Sequence, residues 1–157
     1  MTIAPIRSAE QALRPEWIDH NGHLNMAYYG VLFDWGVDEV QENVGLGISY
    51  AAKGAFTTFS AEFRIRYVRE LPPDSTVYTT FRLLDVGPKA YHFCQELYHT
   101  DGWLSATGEG ISLHIDRSGP RVAPYPEPVL AALRAMLDAQ SQIPVPDWVG
   151  KPMAIRK

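Results

Sequence analysis

The chain has one cysteine in 157 residues, Cys94. A lone thiol closes no internal disulfide and completes no cysteine-type zinc cluster, so neither a disulfide scaffold nor that class of metal site is expected. No apolar run approaches the roughly 20 residues needed to cross a bilayer, and the stretch from Met1 to Arg7 lacks the apolar core of a secretory leader. A cytoplasmic protein without a membrane partner is therefore expected. Positive charge is also in short supply: 14 Lys and Arg face 18 Asp and Glu, a net charge of -4. Nucleic-acid binders neutralise phosphates with clustered basic residues, so that class is disfavoured. Charged residues make up 20% and form no long run of one sign, which argues against extended disorder.

What is present is enough for one core: 46% hydrophobic residues, with 11% aromatic, in a length typical of one domain. The segment from about Ala27 to Val44 repeats apolar residues at helical spacing (Tyr29, Phe33, Gly36, Val37, Val40, Val44), with Asp34, Asp38, Glu39 and Glu42 elsewhere on its surface. Asn25 is a plausible N-cap, and Gly45 and Gly47 stop the helix. From Ala55 the period changes to two, with Phe59, Ala61, Phe63, Ile65 and Tyr67 on one side and Ser60, Glu62, Arg64 and Arg66 on the other. Pro72-Pro73-Asp74, Gly87-Pro88 and Thr100-Asp101-Gly102 separate three further strands, the second one alternating Val77, Thr79, Phe81 and Leu83. A short strand near Gln11 to Trp17 precedes all of these, and an amphipathic helix from Pro128 to Gln140 follows them.

The order predicts an α+β domain over 1–157: a core at about 8–117, a helix within 126–140 and a Pro-rich tail at 141–157, with one sheet packed on one helix. Leu84, Tyr98, Leu104 and Ala106 fall on the sheet's other face, which a subunit contact would explain.

The chemistry concentrates in Trp17-Ile18-Asp19-His20-Asn21-Gly22-His23-Leu24-Asn25-Met26, directly ahead of the long helix. Asp19, Asn21 and His23 are spaced by two, so an extended backbone would project all three to one side, while Gly22 would allow close approach to a ligand. The first helical turn carries amides without intrahelical partners and the positive end of the dipole, an oxyanion site for a thioester carbonyl. Asp19 is then the candidate nucleophile or general base. Asp19, His20 and His23 are potential metal ligands close in sequence, but no distant Cys or His cluster completes a site, so no metal is expected.

The signature Asp19-x-x-Gly22-His23-x-Asn25-x-x-Tyr28-Tyr29 ahead of a long helix and four long strands resembles the hotdog-fold acyl-CoA thioesterases of the 4-hydroxybenzoyl-CoA thioesterase type. The resemblance covers most of residues 8 to 117. It implies a hotdog fold, with an antiparallel sheet wrapped around the helix. It also implies a catalytic Asp19 and carbonyl polarisation by backbone amides of Gly22, Asn25 and Met26. The triplet Asp19, Asn21, His23 is also similar to the motif of hotdog acyl-carrier-protein thioesterases, which implies a positioning role for Asn21 and a polarising or proton-exchanging role for His23. A more distal carboxylate used there has Glu62 as its candidate here. The run from Arg14 to Tyr29 resembles the betainyl-CoA thioesterases of carnitine breakdown, which suggests a trimethylammonium acyl group.

Such a group calls for an aromatic wall, and Trp17, Tyr28, Tyr29, Trp35 and Phe59 are candidates. Anionic coenzyme A calls for basic residues, for which Arg66 and Arg69 are the candidates. The resemblance implies a homodimer or homotetramer with sites at the subunit interface. No cofactor is expected beyond the coenzyme A that forms part of the substrate. Two alternatives stand beside acyl-CoA hydrolysis: a non-catalytic acyl-CoA-binding module, and a thioesterase acting on acyl-carrier protein.

Overall fold

The computed structural model describes residues 4–157; Met1 to Ile3, part of the N-terminal stretch considered above for a leader, lie outside them. The elements are β1 (Ile6–Arg7), β2 (Gln11–Ala12), a 3-10 turn (Pro15–Trp17), α1 (Met26–Asn43), α2 (Ile48–Ala51), β3 (Phe56–Tyr67), β4 (Thr76–Val86), β5 (Ala90–His99), β6 (Leu104–Asp116), β7 (Arg121–Val122) and α3 (Glu127–Gln140). Of the strand expected from Gln11 to Trp17 only Gln11–Ala12 pairs with β4, Pro15 opening the 3-10 turn after it, while β1 adds a separate, unexpected ladder on β4 at Ile6–Arg7. No helix among the described residues is long and apolar enough to cross a membrane.

The sheet is antiparallel and runs β1-β4-β5-β6-β3, with β2 also on β4 and β7 on β6. β3 is therefore left at an open edge. The concave face wraps α1, whose buried residues Tyr29, Leu32, Phe33, Gly36 and Val40 recur at helical spacing. Phe33, 1% exposed, meets Phe63 edge-on at 5.5 Å between ring centres, and Phe63 in turn stacks near Phe93. Gly36 lets helix and sheet approach closely: a Cβ there would lie 2.0 Å from Thr79 Oγ1.

Register shifts change two expected alternations. β3 slips against β6 between Ser60 and Glu62. One apolar face from Phe59 to Tyr67 therefore does not exist: Phe59 is half exposed, while Phe63 and Ile65 pack on the core. A second shift, between Leu97 and Tyr98, places Ala106 in the core rather than on the outer face with Tyr98 and Leu104. Tyr98 stacks on Tyr78 at 5.5 Å.

α3 packs on β4. Gln140 at its C-terminal end accepts from the Leu83 amide at 2.8 Å and donates to the Phe81 carbonyl at 3.2 Å, substituting for a neighbouring strand at two backbone positions. The tail then crosses the sheet's outer face: Arg82 donates to the Pro144 carbonyl, Arg64 donates to the Lys151 carbonyl, and the Gly150 amide donates to Glu109 at 3.0 Å. Glu109 also meets Arg64 at 2.8 Å and His92 at 2.9 Å. Burial alone would raise its carboxyl, but the Gly150, His92 and Arg64 hydrogen bonds outweigh burial and hold it below the ordinary carboxylate range.

Candidate active site

The loop ahead of α1 is a closed turn, not an extended segment. Ile18 and Leu24 bridge antiparallel, the Asp19 amide donates to the His23 carbonyl at 3.1 Å, and the Gly22 amide donates to the Asp19 carbonyl at 2.9 Å. The expected alignment of Asp19, Asn21 and His23 on one side of an extended strand therefore fails. Gly22 serves the turn through its left-handed φ of 77°; a Cβ there would touch nothing within 4 Å.

This turn holds the Asp19 carboxylate. Oδ1 accepts from the Asn21 amide at 2.8 Å, and Oδ2 accepts from Asn25 Nδ2 at 3.3 Å. Asn25 is also the N-cap, its Oδ1 accepting from the Ala27 amide at 3.0 Å. One side chain thus ties the carboxylate to the helix start. The Asn25 amide is engaged by the Trp17 carbonyl at 2.9 Å, and the Tyr28 amide by the Asn25 carbonyl at 3.0 Å. The Met26 amide has no acceptor among the described residues.

A cavity of about 580 Å³ runs along α1, between the helix, α2 and β3; its lining starts at Ala27 and does not include Asp19, Asn21, His23, Asn25 or Met26. Ala27, Gly30, Val31, Asp34, Val37, Asp38 and Gln41 line one side of it, which is a single helical face. Phe63, Phe93, Ser60 and Ser112 line the sheet side. A Cβ at Gly30 would meet nothing within 4 Å, so this glycine leaves the passage open. The Asp38 carboxyl is raised above its ordinary range, chiefly by burial and then by the neighbouring charges of Asp34 and Glu42.

The family model of the Thioesterase-like superfamily matches residues 13–133. The chain belongs to that superfamily. A betainyl-CoA thioesterase of Pseudomonas aeruginosa is 32% identical to this thioesterase-like chain over 143 residues, 90% of each chain. An L-carnitine dehydrogenase/betainyl-CoA thioesterase of Rhizobium meliloti is 28% identical over 148 residues, where the chain spans 30% of that longer protein. Among solved structures, the hypothetical protein SAV2348 of Staphylococcus aureus in complex with CoA superposes with a TM-score of 0.90 at 26% identity, covering 99% of this chain and 98% of that one. The DHNA-CoA thioesterase of Staphylococcus aureus shares the fold, with a TM-score of 0.75 at 14% identity, over 86% of this chain and 93% of its own. The hotdog architecture expected above is the one observed.

Within this thioesterase-like framework the predicted site residues separate. Asp19, Asn25 and Met26 lie together at the helix start; of the amides expected to polarise a carbonyl, those of Gly22 and Asn25 are already bonded to the Asp19 and Trp17 carbonyls, while Asn21 contributes its amide, and His23 its carbonyl, to the turn. Trp17 and Tyr28 do not line the cavity: they stack on each other at 5.3 Å, Trp17 packs near Trp35, and the Arg14 guanidinium covers Trp17 and Trp35. That aromatic cluster already has its cation. Phe59 is half exposed and outside the cavity. Glu62 lines a separate cleft of about 270 Å³ with Arg64, His92 and Glu109, against the tail. Arg69 stacks over Trp103 at 4.0 Å, and Arg66 shares the strand alternation of Glu62 and Arg64, away from Phe63. Cys94 is buried, and burial pushes its thiol up to about 12, which leaves it protonated.

Asp34, Asp38 and Gln41 were missed as lining residues. The available signal was their spacing of four and three on the same helical face as Gly30, a polar stripe interrupted by small residues.

Proposed function

We propose that this chain hydrolyses a quaternary-ammonium acyl-CoA of the betainyl-CoA kind to the free acid and CoA. Thioester hydrolysis follows from its superfamily, and the similarity to betainyl-CoA thioesterases supports the acyl class. One observation carries the catalytic reading: the Asp19 carboxylate is tethered through Asn25 to the helix start, where the Met26 amide has no acceptor among the described residues and the next residue, Ala27, is the first to line the cavity.

In this scheme the thioester carbonyl oxygen rests on the Met26 amide, supported by the positive end of α1. A donor aimed at the oxyanion stabilises the transition state by about 3 kcal/mol. Asp19 either deprotonates a water that attacks the carbonyl carbon or attacks it directly, forming an anhydride that water then opens. On both routes the carbon–sulfur bond breaks, the thiolate leaves as CoA and takes up a proton, and water supplies the acid's second oxygen. No cofactor enters the scheme. Asn21 holds Asp19 through its amide, His23 is the proposed proton-exchanging group of the loop, and Arg66 and Arg69 are the proposed contacts for the CoA phosphates. The CoA-bound relative favours CoA over an acyl-carrier protein.

The working unit is proposed to be a homodimer joined through the open edge of β3, which is cytoplasmic. The edge carries four consecutive exposed residues, Phe59 to Glu62, and exposed Met26, Ile48, Tyr67 and Val68 lie on or beside the elements that frame the cavity. An unpaired strand edge with exposed Phe59, Tyr67 and Val68 is an association surface, and a second copy placed there would wall the cavity's open side.

Asp19→Asn is expected to lower betainyl-CoA turnover by about 100- to 10,000-fold with an unchanged circular dichroism spectrum. Thiol release read with a chromogenic disulfide measures it. Wild-type rates in this variant would overturn the assignment. Tight binding of intact betainyl-CoA by the wild type, with no thiol released, would instead mark a non-catalytic binding module.

A further inference from the structure

We infer that the tail is an exchanged arm: residues 153–157 of one copy pass over the joined β3 edges and dock on the outer sheet face of the second copy, against the partner's Phe59 and the partner's Glu62. The inference rests on the proposed dimer through the β3 edge. It goes beyond that dimer in assigning the tail as its clasp.

The course of the tail follows from where it touches the sheet. Strands β4, β5, β6 and β3 lie side by side in that order. Arg82 of β4 holds the Pro144 carbonyl, Glu109 of β6 the Gly150 amide, and Arg64 of β3 the Lys151 carbonyl, so the chain runs outward across the face. Lys151 and Pro152 lie with Glu62 and Arg64 in the cleft of about 270 Å³, and the last strand is therefore reached by Pro152. The residues after it, extended at about 3.3 Å each, span about 16 Å, or three strand spacings of about 4.8 Å.

Those residues have nothing to pack on in their own subunit. Met153 is 89% exposed and Ile155 is 91% exposed. In an extended chain, side chains two apart share a face, so the two project together. From Lys151 onward the charged side chains are Lys151, Arg156 and Lys157, all basic.

The receiving surface has the complementary chemistry. Phe59 pairs with Leu113 and Glu62 with Ile111, two residues apart on β6, so the bulge between them puts Phe59 and Glu62 on one face, the one that carries the cleft. Phe59 is half exposed, and Glu62 is exposed with no ion-pair partner among the described residues. The exposed run 59–62 sits at the middle of the open edge. With a two-fold axis there, the position opposite Arg64 is the partner's Thr57, and the partner's Phe59 is the next outward residue, roughly 7 Å along the strand. The tail's own Phe59 lies roughly 17 Å back along β3, off the line the tail takes.

A cross-linking experiment decides between the two copies. Two differently tagged chains, one with Ile155→Cys and one with Phe59→Cys, are mixed and mildly oxidised; native Cys94 is buried and does not compete. A disulfide-linked mixed dimer is expected, while Ile155→Cys with Arg134→Cys on α3, at the far side of the sheet, should stay unlinked. Linkage no greater than in that control would overturn the inference, and so would a bond formed only within a chain that carries both Ile155→Cys and Phe59→Cys. Sedimentation equilibrium separates the arm from the dimer it rests on. Met153→Ser with Ile155→Ser is expected to raise the dimer dissociation constant by about 10-fold or more, and adding Phe59→Ser should raise it little further. A dimer that Met153→Ser with Ile155→Ser leaves at full strength would overturn the arm and keep the edge contact. A wild-type protein that is monomeric at every concentration would overturn the edge dimer, and the arm with it.

Discussion

Two faces of α1 carry glycines with opposite meanings. On the face turned to the sheet, Gly36 lets the backbone approach Thr79 so closely that a Cβ would collide at 2.0 Å. On the face turned to the cavity, Gly30 has open space where its side chain would be. A glycine in a helix interior costs about 0.5–1 kcal/mol relative to alanine. Packing accounts for that cost at Gly36. At Gly30 no packing partner does, and the remaining explanation is the room it leaves for a ligand. One face of the helix is built for stability and the other gives some up for passage.

The contrast breaks most readily from the packed side. Gly36→Val is expected to destabilise the fold by about 3 kcal/mol, because the buried Thr79 and Gln95 side chains leave no room to relax; urea unfolding monitored by tryptophan fluorescence reads the change. Asn25→Ala, at the end where the two faces meet, should cost about 1 kcal/mol from the lost N-cap. It should also lower kcat, because Asp19 loses its Nδ2 donor, so a stability change without a rate change would separate the cap from the site. Gly30→Ala should have the opposite sign in stability, a gain of about 0.5–1 kcal/mol, while kcat/KM for betainyl-CoA falls. A stabilised variant with full activity would show that the cavity face carries no substrate.

The smallest effect lies away from both faces, where Glu109 holds the tail. Its folded-state carboxyl is lowered, so the stability it contributes is present above its unfolded value and is lost as pH falls below that value through the lowered folded one. Hydrogen exchange at the Gly150 amide should therefore accelerate at acid pH, after allowance for the intrinsic rate. Glu109→Gln should show the faster exchange already at neutral pH.

The same difference between local and distant causes decides what could be read without coordinates. α1 was expected over Ala27 to Val44 and spans Met26–Asn43; α3 was expected over Pro128 to Gln140 and spans Glu127–Gln140. Caps and helical period act within a few residues, so these boundaries were legible. The strands were legible as elements but not in register. The shift at Ser60/Glu62 depends on how β3 meets β6, and it turned Phe59 and Ala61 outward against a strict alternation. At the site, Asp19, Asn25 and the helix start were legible because their bonds span at most six residues. The aromatic wall was not: Trp17 and Tyr28 have the right chemistry, but Arg14 and Trp35 occupy their faces.

By itself the sequence determined the capped helix, the tethered carboxylate and the four long strands, since each depends on short-range hydrogen bonding or on a repeat of two or 3.6 residues. Only the tertiary structure decided that Asp34, Asp38 and Phe93 share one cavity. Phe93 is on β5 and the two aspartates are on α1, about 60 residues earlier in the chain. Their meeting depends on the sheet curving around a helix that Gly36 allows close enough to touch.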